Sequence, residues 1–400
     1  MNRAENALIV GVGMTPFGKF PELSLRQLAG EAARAALADA RIGAQALEAV
    51  FASNSGAGLI TGQESVRGQV SLKEAGIGGA PLFNVENACA SGSSAVHLAA
   101  AYIRAGAAQC VLAIGYEKMA VADRAAPFRA IEACSDIEEM AALKAALGPE
   151  GAKRSIFMDY YSEKVRKYFA ASGANARHLA EIAAKNHRNG ALNPWAQSRT
   201  PQTADSVLAS RPVVDPLTLL MCAPISDGAA ALVIASPAWA RAHGLDGPEI
   251  AASAIRTDSF SNEGSQTADT ARLAYAQAGV SPRDIHVAEV HDATAAGELF
   301  GYEDIGIAAP GEGWKLVDEG AVALGGRVPV NPSGGLLARG HPLGATGVAQ
   351  LCELAWQLRG TAGERQVKGA RVAVAQCSGG QSAFGRTSGA AAMSVTVLRA

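Results

Sequence analysis

The sequence has no long apolar run and almost no excess of either charge. No segment approaches the roughly 18 to 20 apolar residues that a membrane-spanning helix needs. The 35 basic and 37 acidic residues leave a formal net charge of -2, so the whole chain offers no attraction to nucleic acid or to an anionic membrane. We therefore expect no nucleic-acid partner and no membrane span, and ligands must be recognised by local sites.

Cysteine is scarce and irregularly spaced. The six cysteines of this 400-residue chain form no CxxC pair, which predicts neither a disulfide framework nor a zinc site. The short apolar run from Ala7 to Met14 leads into Thr15-Pro16 and predicts a buried strand rather than a signal peptide. The last residues, Val397 to Ala400, do not match a peroxisomal address. These features favour a reduced, cytoplasmic location.

Aromatic residues are also few, at 5%, whereas the hydrophobic fraction is 49% and there are 44 glycines. This composition is typical of an Ala/Val/Gly-rich α/β protein, and the length favours two or three domains with a sizeable core. The runs Val111–Ile114 and Val372–Ala375 are apolar without alternation, which predicts strands covered on both faces.

A pattern repeats within the chain. The stretches Ala33–Asn54 and Ala271–Asp292 each contain an Ala-rich amphipathic helix, a polar turn and a strand. In a second pair, predicted helices at 92–105 and 347–358 lead into strands at 110–115 and 371–376. Two similar α/β halves are the simplest explanation.

Three motifs indicate acyl-transfer chemistry: Asn87-Ala-Cys-Ala-Ser-Gly, Gly340-His-Pro-Leu-Gly-Ala-Thr-Gly and Cys377-Ser-Gly-Gly. A thiol nucleophile needs a nearby base and backbone donors for the oxyanion formed when it attacks a thioester. Cys89 follows a predicted strand, 81–85, and precedes a helix, whose N-terminus should lower the thiol pKa. The loop around His341 can aim an imidazole without helical constraints. A buried core role is the alternative for an isolated cysteine.

With His291-Asp-Ala-Thr, these motifs resemble the thiolases, most closely the branch related to the thiolase part of sterol carrier protein X. In that branch His-Asp replaces the usual Asn-Glu. The resemblance extends from Ala7 to about Gly385 and leaves the tail from Arg386 outside. It implies two duplicated α/β halves in a five-layered α-β-α-β-α arrangement with an inserted loop domain. We expect 1–118 plus 217–245 to form the first half, 119–216 the insertion and 246–400 the second half.

The resemblance also implies roles for the motif residues. Cys89 is the nucleophile, His341 takes its proton, and Cys377 moves a proton at the α-carbon of the second substrate. The Gly379 and Cys89 N–H groups form one oxyanion hole, and His341 and His291 form the other. Asp292 is expected to orient its loop or to cap the following helix.

Coenzyme A is the implied acyl carrier and substrate, with no permanently bound cofactor and no metal. The glycines of Gly11-Val-Gly13 and Gly18 do not have the GxGxxG spacing, which argues against a dinucleotide-binding site. His286 lies five residues before His291, on the other strand face, which argues against a paired-histidine metal site. Basic residues between aromatics in the insertion are weak candidates for the phosphates, although a solvated helix face is an alternative: Lys153, Arg154, Lys164, Arg166 and Lys167.

The favoured function is a coenzyme A-dependent acyltransferase that carries out thiolysis of 3-oxoacyl-CoA, or the reverse Claisen condensation, in fatty acid or steroid metabolism. A β-ketoacyl synthase has no need of a second cysteine, so Cys377 weighs against it. A thiolase-like aldolase working with a small partner protein, which cleaves 3-hydroxyacyl-CoA without an acyl-enzyme, and a lipid-transfer or assembly scaffold are further alternatives. The resemblance implies a homodimer or a dimer of dimers, and the acyl chain is not determined.

Overall fold

The structure, a computed structural model, describes residues 5–151, 154–260, 264–382 and 389–400. Its strands are β1 (Leu8–Met14), β2 (Ala49–Ser53), β3 (Leu82–Val85), β4 (Cys110–Glu117), β5 (Pro212–Val214), β6 (Leu217–Thr218), β7 (Gly228–Ala235), β8 (Glu249–Thr257), β9 (Val287–Glu289), β10 (Val372–Gly379) and β11 (Ala392–Arg399). Its helices are α1 (Leu25–Asp39), α2 (Ala57–Thr61), α3 (Arg67–Leu72), α4 (Ser91–Arg104), α5 (Ala126–Glu132), α6 (Ile137–Gly151), α7 (Ile156–Ala171), α8 (Ala176–Ala191), α9 (Ala204–Leu208), α10 (Pro237–Ala242), α11 (Gln266–Ala278), α12 (Ala295–Asp304), α13 (Gly313–Asp318), α14 (Gly335–Arg339) and α15 (Thr346–Arg359).

The sheet consists of two half-sheets whose strands follow the same internal order, apart from one additional edge strand, β3, in the first. The first runs β3-β2-β4-β7-β1 and the second β8-β11-β10-β9, and they join through the pair Leu8 and Glu249. In each half two neighbouring strands are parallel, β2 with β4 and β9 with β10, and the next strand along is antiparallel. Strand β2 thus corresponds to β9 and β4 to β10, which confirms the predicted duplication.

Three apolar clusters define the layers. One lies between the first half-sheet and α1, the second surrounds α4 and α15 between the two half-sheets, and the third lies between the second half-sheet and α8, α11 and α12. Every residue of β4 and β7 is buried, as the absence of alternation predicted. The order of layers is therefore helix, sheet, central helix pair, sheet, helix.

The residues between β4 and β7 form α5 to α9 and a small hairpin of β5 and β6. The buried face of α8, including Leu179 and Ile182, belongs to the apolar cluster of the second half. The insertion therefore packs against the half that it does not interrupt. The predicted boundary at residue 216 falls within the β5–β6 hairpin.

The C-terminal tail supplies a central strand. Strand β11 pairs with both β8 and β10, and Ala392 to Leu398 are buried. The tail that lay outside the sequence resemblance is thus part of the framework, because it occupies the position in the second half that β7 has in the first. Across the residues described, no helix combines the length and apolarity needed to cross a membrane.

Candidate active site

The motif residues meet at one end of the two half-sheets. Cys89 lies in a short turn, Ala88–Ala90, between β3 and α4, and His341 lies in the loop between α14 and α15. His291 follows β9, and Cys377 lies within β10, which extends past the predicted end of that strand at 376. A cavity of about 1010 Å³ is lined by Cys89, His291 and His341. Cys377 is only 1% exposed and lies behind them.

Cys89, His341 and Thr346 form a hydrogen-bonded chain. His341 Nε2 is 3.3 Å from Cys89 Sγ, and His341 Nδ1 is 2.7 Å from Thr346 Oγ1. The Thr346 hydroxyl donates its one proton to the carbonyl of Pro342, at 3.0 Å. It must therefore accept from His341 Nδ1–H, which leaves Nε2 unprotonated and facing the thiol. This tautomer is the one that can take a proton from Cys89.

Cys377 and His291 form a second pair. Cys377 Sγ is 3.3 Å from the carbonyl oxygen of Cys89 and 3.6 Å from His291 Nδ1. The His291 and His341 rings are perpendicular, with centroids 5.1 Å apart. Because Nδ1 of His291 faces Cys377, Nε2 is its nitrogen available to a ligand. The two thiols and two imidazoles thus surround one small volume.

Contacts from the first half hold the His341 loop. The backbone N–H of His341 donates to Ser226 Oγ at 3.0 Å, and that of Gly344 donates to the buried carboxylate of Glu117 at 3.0 Å. Ser53 Oγ donates to the carbonyl of Gly344 at 2.9 Å. The loop is therefore fixed to the sheet ends of the other half before any ligand binds.

The turn that carries Cys89 is tightly packed. Ala88 has a φ of 50°, a strained value for a residue with a Cβ. A Cβ on Gly379 would lie 2.1 Å from the carbonyl oxygen of Asn87 and 2.7 Å from the N of Ala90. The Gly379 N–H was expected to form part of an oxyanion hole. In the structure a glycine is required at this position by contact with the Cys89 turn, and Gly379 itself does not line the cavity.

Burial sets the protonation of the site. It raises the pKa of Cys89 well above the ordinary value, helped by the nearby Cys134, Cys377 and Glu117. It also lowers the pKa of His341 far below its usual range. The resting pair is therefore a neutral thiol and a neutral imidazole. The predicted lowering of the Cys89 pKa was wrong in direction, because desolvation outweighs the helix end.

The second pair has shifted pKa values of the same kind. Burial lowers the pKa of His291 to about 4 and raises that of Cys377 to about 12. Both groups are neutral near pH 7, so Cys377 holds a proton that it can donate.

Asp292 is buried and does not cap the helix that follows it. It accepts from the backbone N–H groups of Leu336, at 2.6 Å, and Leu337, at 3.3 Å, at the start of α14, and from Asn186 Nδ2 at 2.8 Å. The cap of α12 is Thr294, whose Oγ1 accepts from the Gly297 N–H at 3.2 Å. Asp292 thus ties the His291 segment to the helix leading to His341.

One face of α7 forms a wall of the cavity, and this face determines which of the predicted basic residues line it. Positions 157, 160, 161 and 164 line the cavity, as expected for one face of a helix. Lys164 is among them, with Nζ 4.7 Å from the centre of the Phe300 ring, and Arg154 also lines the cavity, where it pairs with Asp159.

Two other predicted basic residues do not reach the cavity. Arg166 and Lys167 are exposed and do not line it, and Lys167 pairs with Glu163 at 2.7 Å. Arg166 is two positions from Lys164 and points to another side of the helix, whereas Lys167 is about one turn farther along α7 and lies beyond the cavity. Lys153 lies outside the described residues.

Sequence reasoning missed the cations at the cavity rim. Lys19, Arg199 and Arg211 are exposed and line the cavity. Within the part of the chain that the structure describes, none of the three forms an ion pair. They come from distant segments and belong to no motif, so only the fold brings them together.

Donor atoms of Cys89, His291 and His341 lie within 4.8 Å of one another. Thiolate and imidazole are donors that Zn²⁺ accepts. The same atoms make the contacts of the Cys89–His341 pair, and the expectation of no metal stays a prediction.

Comparisons with known proteins show similarity in sequence and in fold. The family model described as "Thiolase, N-terminal domain" matches residues 7–238, and "Thiolase C-terminal domain-like" matches residues 252–388. Sterol carrier protein 2 of Bos taurus is 40% identical over 389 residues, covering 92% of this chain and 68% of that protein. The acetyl-CoA acetyltransferase of Methanothermobacter thermautotrophicus is 36% identical over 379 residues, covering 93% of this chain and 96% of that protein. A solved Ltp2-ChsH2(DUF35) aldolase has a similar fold, with a TM-score of 0.80 at 24% identity over 100% of this chain and 99% of that one.

Proposed function

The chain belongs to the thiolase family and is a thiolase-type acyltransferase, and from that premise we propose how its residues divide the chemistry. The observation that supports this division best is the hydrogen-bonded chain from Cys89 through His341 to Thr346, which presents a neutral base to a neutral thiol. A thiol of raised pKa needs such a base at the moment of attack.

In thiolysis, Cys89 Sγ attacks the 3-oxo carbon of a 3-oxoacyl-CoA while its proton passes to His341 Nε2. The oxygen of that carbon takes up the negative charge, and the N–H groups of Cys89 and Gly379 are proposed to stabilise it. Contact between Gly379 and the Cys89 turn supports this assignment, because it holds the two backbones together.

The bond between the second and third carbons then breaks. Its electron pair goes to the departing acyl-CoA enolate, which takes a proton at carbon from Cys377. Cys377 supports this role by its position against Cys89 and by its raised pKa, which keeps it protonated. Because the thiol lies behind Cys89 and His291, the substrate α-carbon must enter between these two side chains.

His291 is proposed to stabilise the enolate oxygen together with His341. In the free protein the Cys377 S–H donates to the carbonyl oxygen of Cys89. When it turns instead to His291 Nδ1, 3.6 Å away, the ring proton of His291 lies on Nε2, the tautomer that can donate to an oxygen. Finally the thiol of free CoA gives its proton to the Cys377 thiolate and attacks the acyl group on Cys89. The shortened acyl-CoA is released, and the departing Cys89 sulfur takes its proton back from His341.

CoA phosphates are proposed to bind at the rim formed by Lys19, Arg199 and Arg211, where unpaired cations surround the cavity mouth. Lys164 and Arg154 also line the cavity but are less exposed, and they are proposed to meet the pantetheine or acyl part. We expect Arg199→Gln and Arg211→Gln to raise the KM for CoA about 3- to 10-fold with little change in kcat, because phosphate contacts act equally in ground and transition states. Lys167→Gln, on the outer face of α7, is the matched control and should leave KM unchanged.

A homodimer is supported by the exposed edge of the first half-sheet. Strand β3 stands at the end of the strand order, Phe83 on it is 41% exposed, and Leu98 on the central helix α4 is 43% exposed. Light scattering should give at least the mass of a dimer at micromolar concentration, whereas a monomer would contradict the proposal. We also propose domain boundaries at residues 118, 216 and 245 and a cytoplasmic location.

The experiment that tests the reaction is a panel of 3-oxoacyl-CoAs with and without free CoA, with products identified by mass. A thiolase gives a shortened acyl-CoA and a second acyl-CoA only when CoA is present. Release of an aldehyde or ketone from 3-hydroxyacyl-CoA without CoA would instead support the aldolase, which is the activity named for the Ltp2-ChsH2(DUF35) protein, and a small partner would then be sought. The absence of both reactions would favour a lipid-transfer or scaffold role.

A further inference from the structure

A buried ion pair joins the segments that carry the two site histidines. Glu289 lies two residues before His291, and Arg339 lies two residues before His341. Arg339 Nη1 is 3.3 Å from Glu289 Oε2, and both side chains are 0% exposed. The pair therefore links the end of β9 to the end of α14, which are 50 residues apart in the chain.

Ser333 completes this contact. Its N–H donates to Glu289 Oε1 at 3.0 Å, and its hydroxyl donates to Oε2 at 2.7 Å. Arg339 Nη1 also donates to Ser333 Oγ at 3.3 Å. Both oxygens of the carboxylate are thus occupied, whereas Nε and Nη2 of Arg339 have no hydrogen-bond partner among the described residues.

Stability does not explain such a pair. Removing two charges from water costs several kcal/mol per ion, and a buried pair often contributes no more than apolar side chains of the same size. The two guanidinium nitrogens of Arg339 without a partner lower the stability further, because a buried donor that makes no hydrogen bond costs free energy. A role in fixing geometry accounts for the pair better than a role in holding the fold.

We propose that Glu289 and Arg339 are positioning residues that set the distance and angle between His291 and His341. This inference rests on the proposed function, since it concerns the rate at that site. The histidine rings lie 5.1 Å apart, and one residue separates each of them from its member of the pair. A displacement of about 1 Å at a reacting group can cost about 100-fold in rate.

The residues between the ion pair and the two histidines are themselves held in place. The N–H of Val290 donates to Asn331 Oδ1 at 2.9 Å, and that of His291 donates to Gln376 Oε1 at 2.9 Å. Gly340 has a φ of 112°, and a Cβ there would lie 2.6 Å from Ser226 Oγ, so the backbone turns directly from Arg339 into His341. A shift of either charged side chain is thus carried to a histidine rather than absorbed by a loose connection.

The test compares Glu289→Gln, Arg339→Met and Arg339→Lys with Glu353→Gln as a matched control. Glu353 forms an equally buried pair with Arg365, at 2.9 Å, and its hydrogen bonds are with Arg365 and Gln357 rather than with the segments that carry the histidines. Its charge also raises the pKa of Glu289. Each variant is measured for thermal stability, kcat and KM, and the rate at which iodoacetamide labels Cys89, located by peptide mass.

We expect Arg339→Met to lower kcat about 10- to 100-fold with KM within about twofold, and to slow Cys89 labelling about tenfold. Arg339→Lys should restore both to within about threefold, because only one nitrogen of Arg339 is used and an ammonium can replace it. Glu289→Gln should behave like Arg339→Met in direction. Glu353→Gln should lose as much stability as Glu289→Gln and keep its kcat.

Equal kcat and labelling in all variants, or losses in Arg339→Lys as large as in Arg339→Met, would overturn the proposal. If Arg339→Met does not fold, Arg339→Lys and Glu289→Gln still decide it through their ratio to Glu353→Gln. If the unaltered protein turns over no 3-oxoacyl-CoA, the proposed function fails, but the labelling rates still test the positioning role separately.

Discussion

The corresponding edges of the two half-sheets differ in what they do. At the end of β4 the carboxylate of Glu117 accepts hydrogen bonds from Asn54 Nδ2 and from the N–H groups of Ser55, Gly56 and Gly344. These bonds close the edge of the first half and hold the loop of the other half against it.

The end of β10, at the equivalent position, carries Cys377, and the end of β9 leads to His291. Their neighbours leave a cavity rather than a closed set of hydrogen bonds. Of the groups that we propose to react, the first half contributes Cys89 and the second half contributes Cys377, His291 and His341. In that proposal, duplication of the framework left one edge to maintain structure and the other to carry out chemistry.

The largest effect on activity is expected from removal of the Cys377 thiol at the end of β10. We expect Cys377→Ala to slow thiolysis about 10²- to 10⁴-fold, since the enolate loses its proton donor. Exchange of the acetyl group between acetyl-CoA and labelled CoA needs no such donor and should stay within about threefold. Cys134→Ala, which removes a thiol from the wall of the same cavity, is the control. Thiolysis at the unaltered rate in Cys377→Ala would contradict the division of roles.

A second test changes the tautomer of His341. Thr346→Val removes the acceptor for Nδ1–H without changing side-chain shape, and we expect kcat to fall about 10- to 100-fold. Thr346→Ser keeps the hydroxyl and should stay within about threefold of the unaltered protein. The two variants are compared by steady-state kinetics at equal folded fraction. The same kcat in both would show that the hydroxyl does not orient the ring.

A third test concerns protonation. Burial raises the pKa of Cys89 and lowers that of His341, so the thiolate is the minor form at neutral pH. Below its pKa the thiolate fraction falls tenfold for each pH unit. The rate of Cys89 labelling by iodoacetamide in the free enzyme should therefore rise about tenfold per unit from pH 6 to 9, after subtraction of the rate in Cys89→Ala. A plateau near neutral pH would indicate a thiolate–imidazolium pair instead.

The smallest effect on activity is expected from substitution of Glu117, at the end of β4. Glu117→Gln cannot accept all of its backbone donors, and each N–H left unpaired costs about 1 to 3 kcal/mol of unfolding free energy. Stability in urea should drop, whereas kcat of the folded fraction should change less than about fivefold. Glu48→Gln, where the glutamate accepts a single N–H from Gln109 near the surface, is the control. A loss of activity without a loss of stability would mean that Glu117 belongs to the reacting set.

The sequence was informative where a function depends on residues that lie close together in the chain. Cys89, His341 and His291 stand in short motifs, and the internal repeat indicated the two halves. Strand β11 escaped the resemblance because its apolar residues carry no motif, only a place in the sheet. The orientation of α7 decided which basic residues reach the cavity, and that orientation depends on packing against the second half.

The pKa shifts and buried ion pairs could not be predicted from residues that are neighbours in the sequence either. The position of Cys89 before a helix suggested a lowered pKa, but burial raises it, helped by Cys134, Cys377 and Glu117, which come from other segments of the chain. The pairing of Glu289 with Arg339 likewise joins residues that are 50 positions apart. Each of these contacts joins segments that meet only in the folded protein.

The most direct measurement is intact mass of the protein after brief exposure to a 3-oxoacyl-CoA in the absence of free CoA, followed by peptide mapping. Our account predicts a mass increase equal to the shortened acyl group, located on Cys89, lost on addition of CoA and absent in Cys89→Ala but present in Cys134→Ala. Turnover of the substrate without any adduct, or an adduct on another cysteine, would contradict the central claim that Cys89 carries the acyl group.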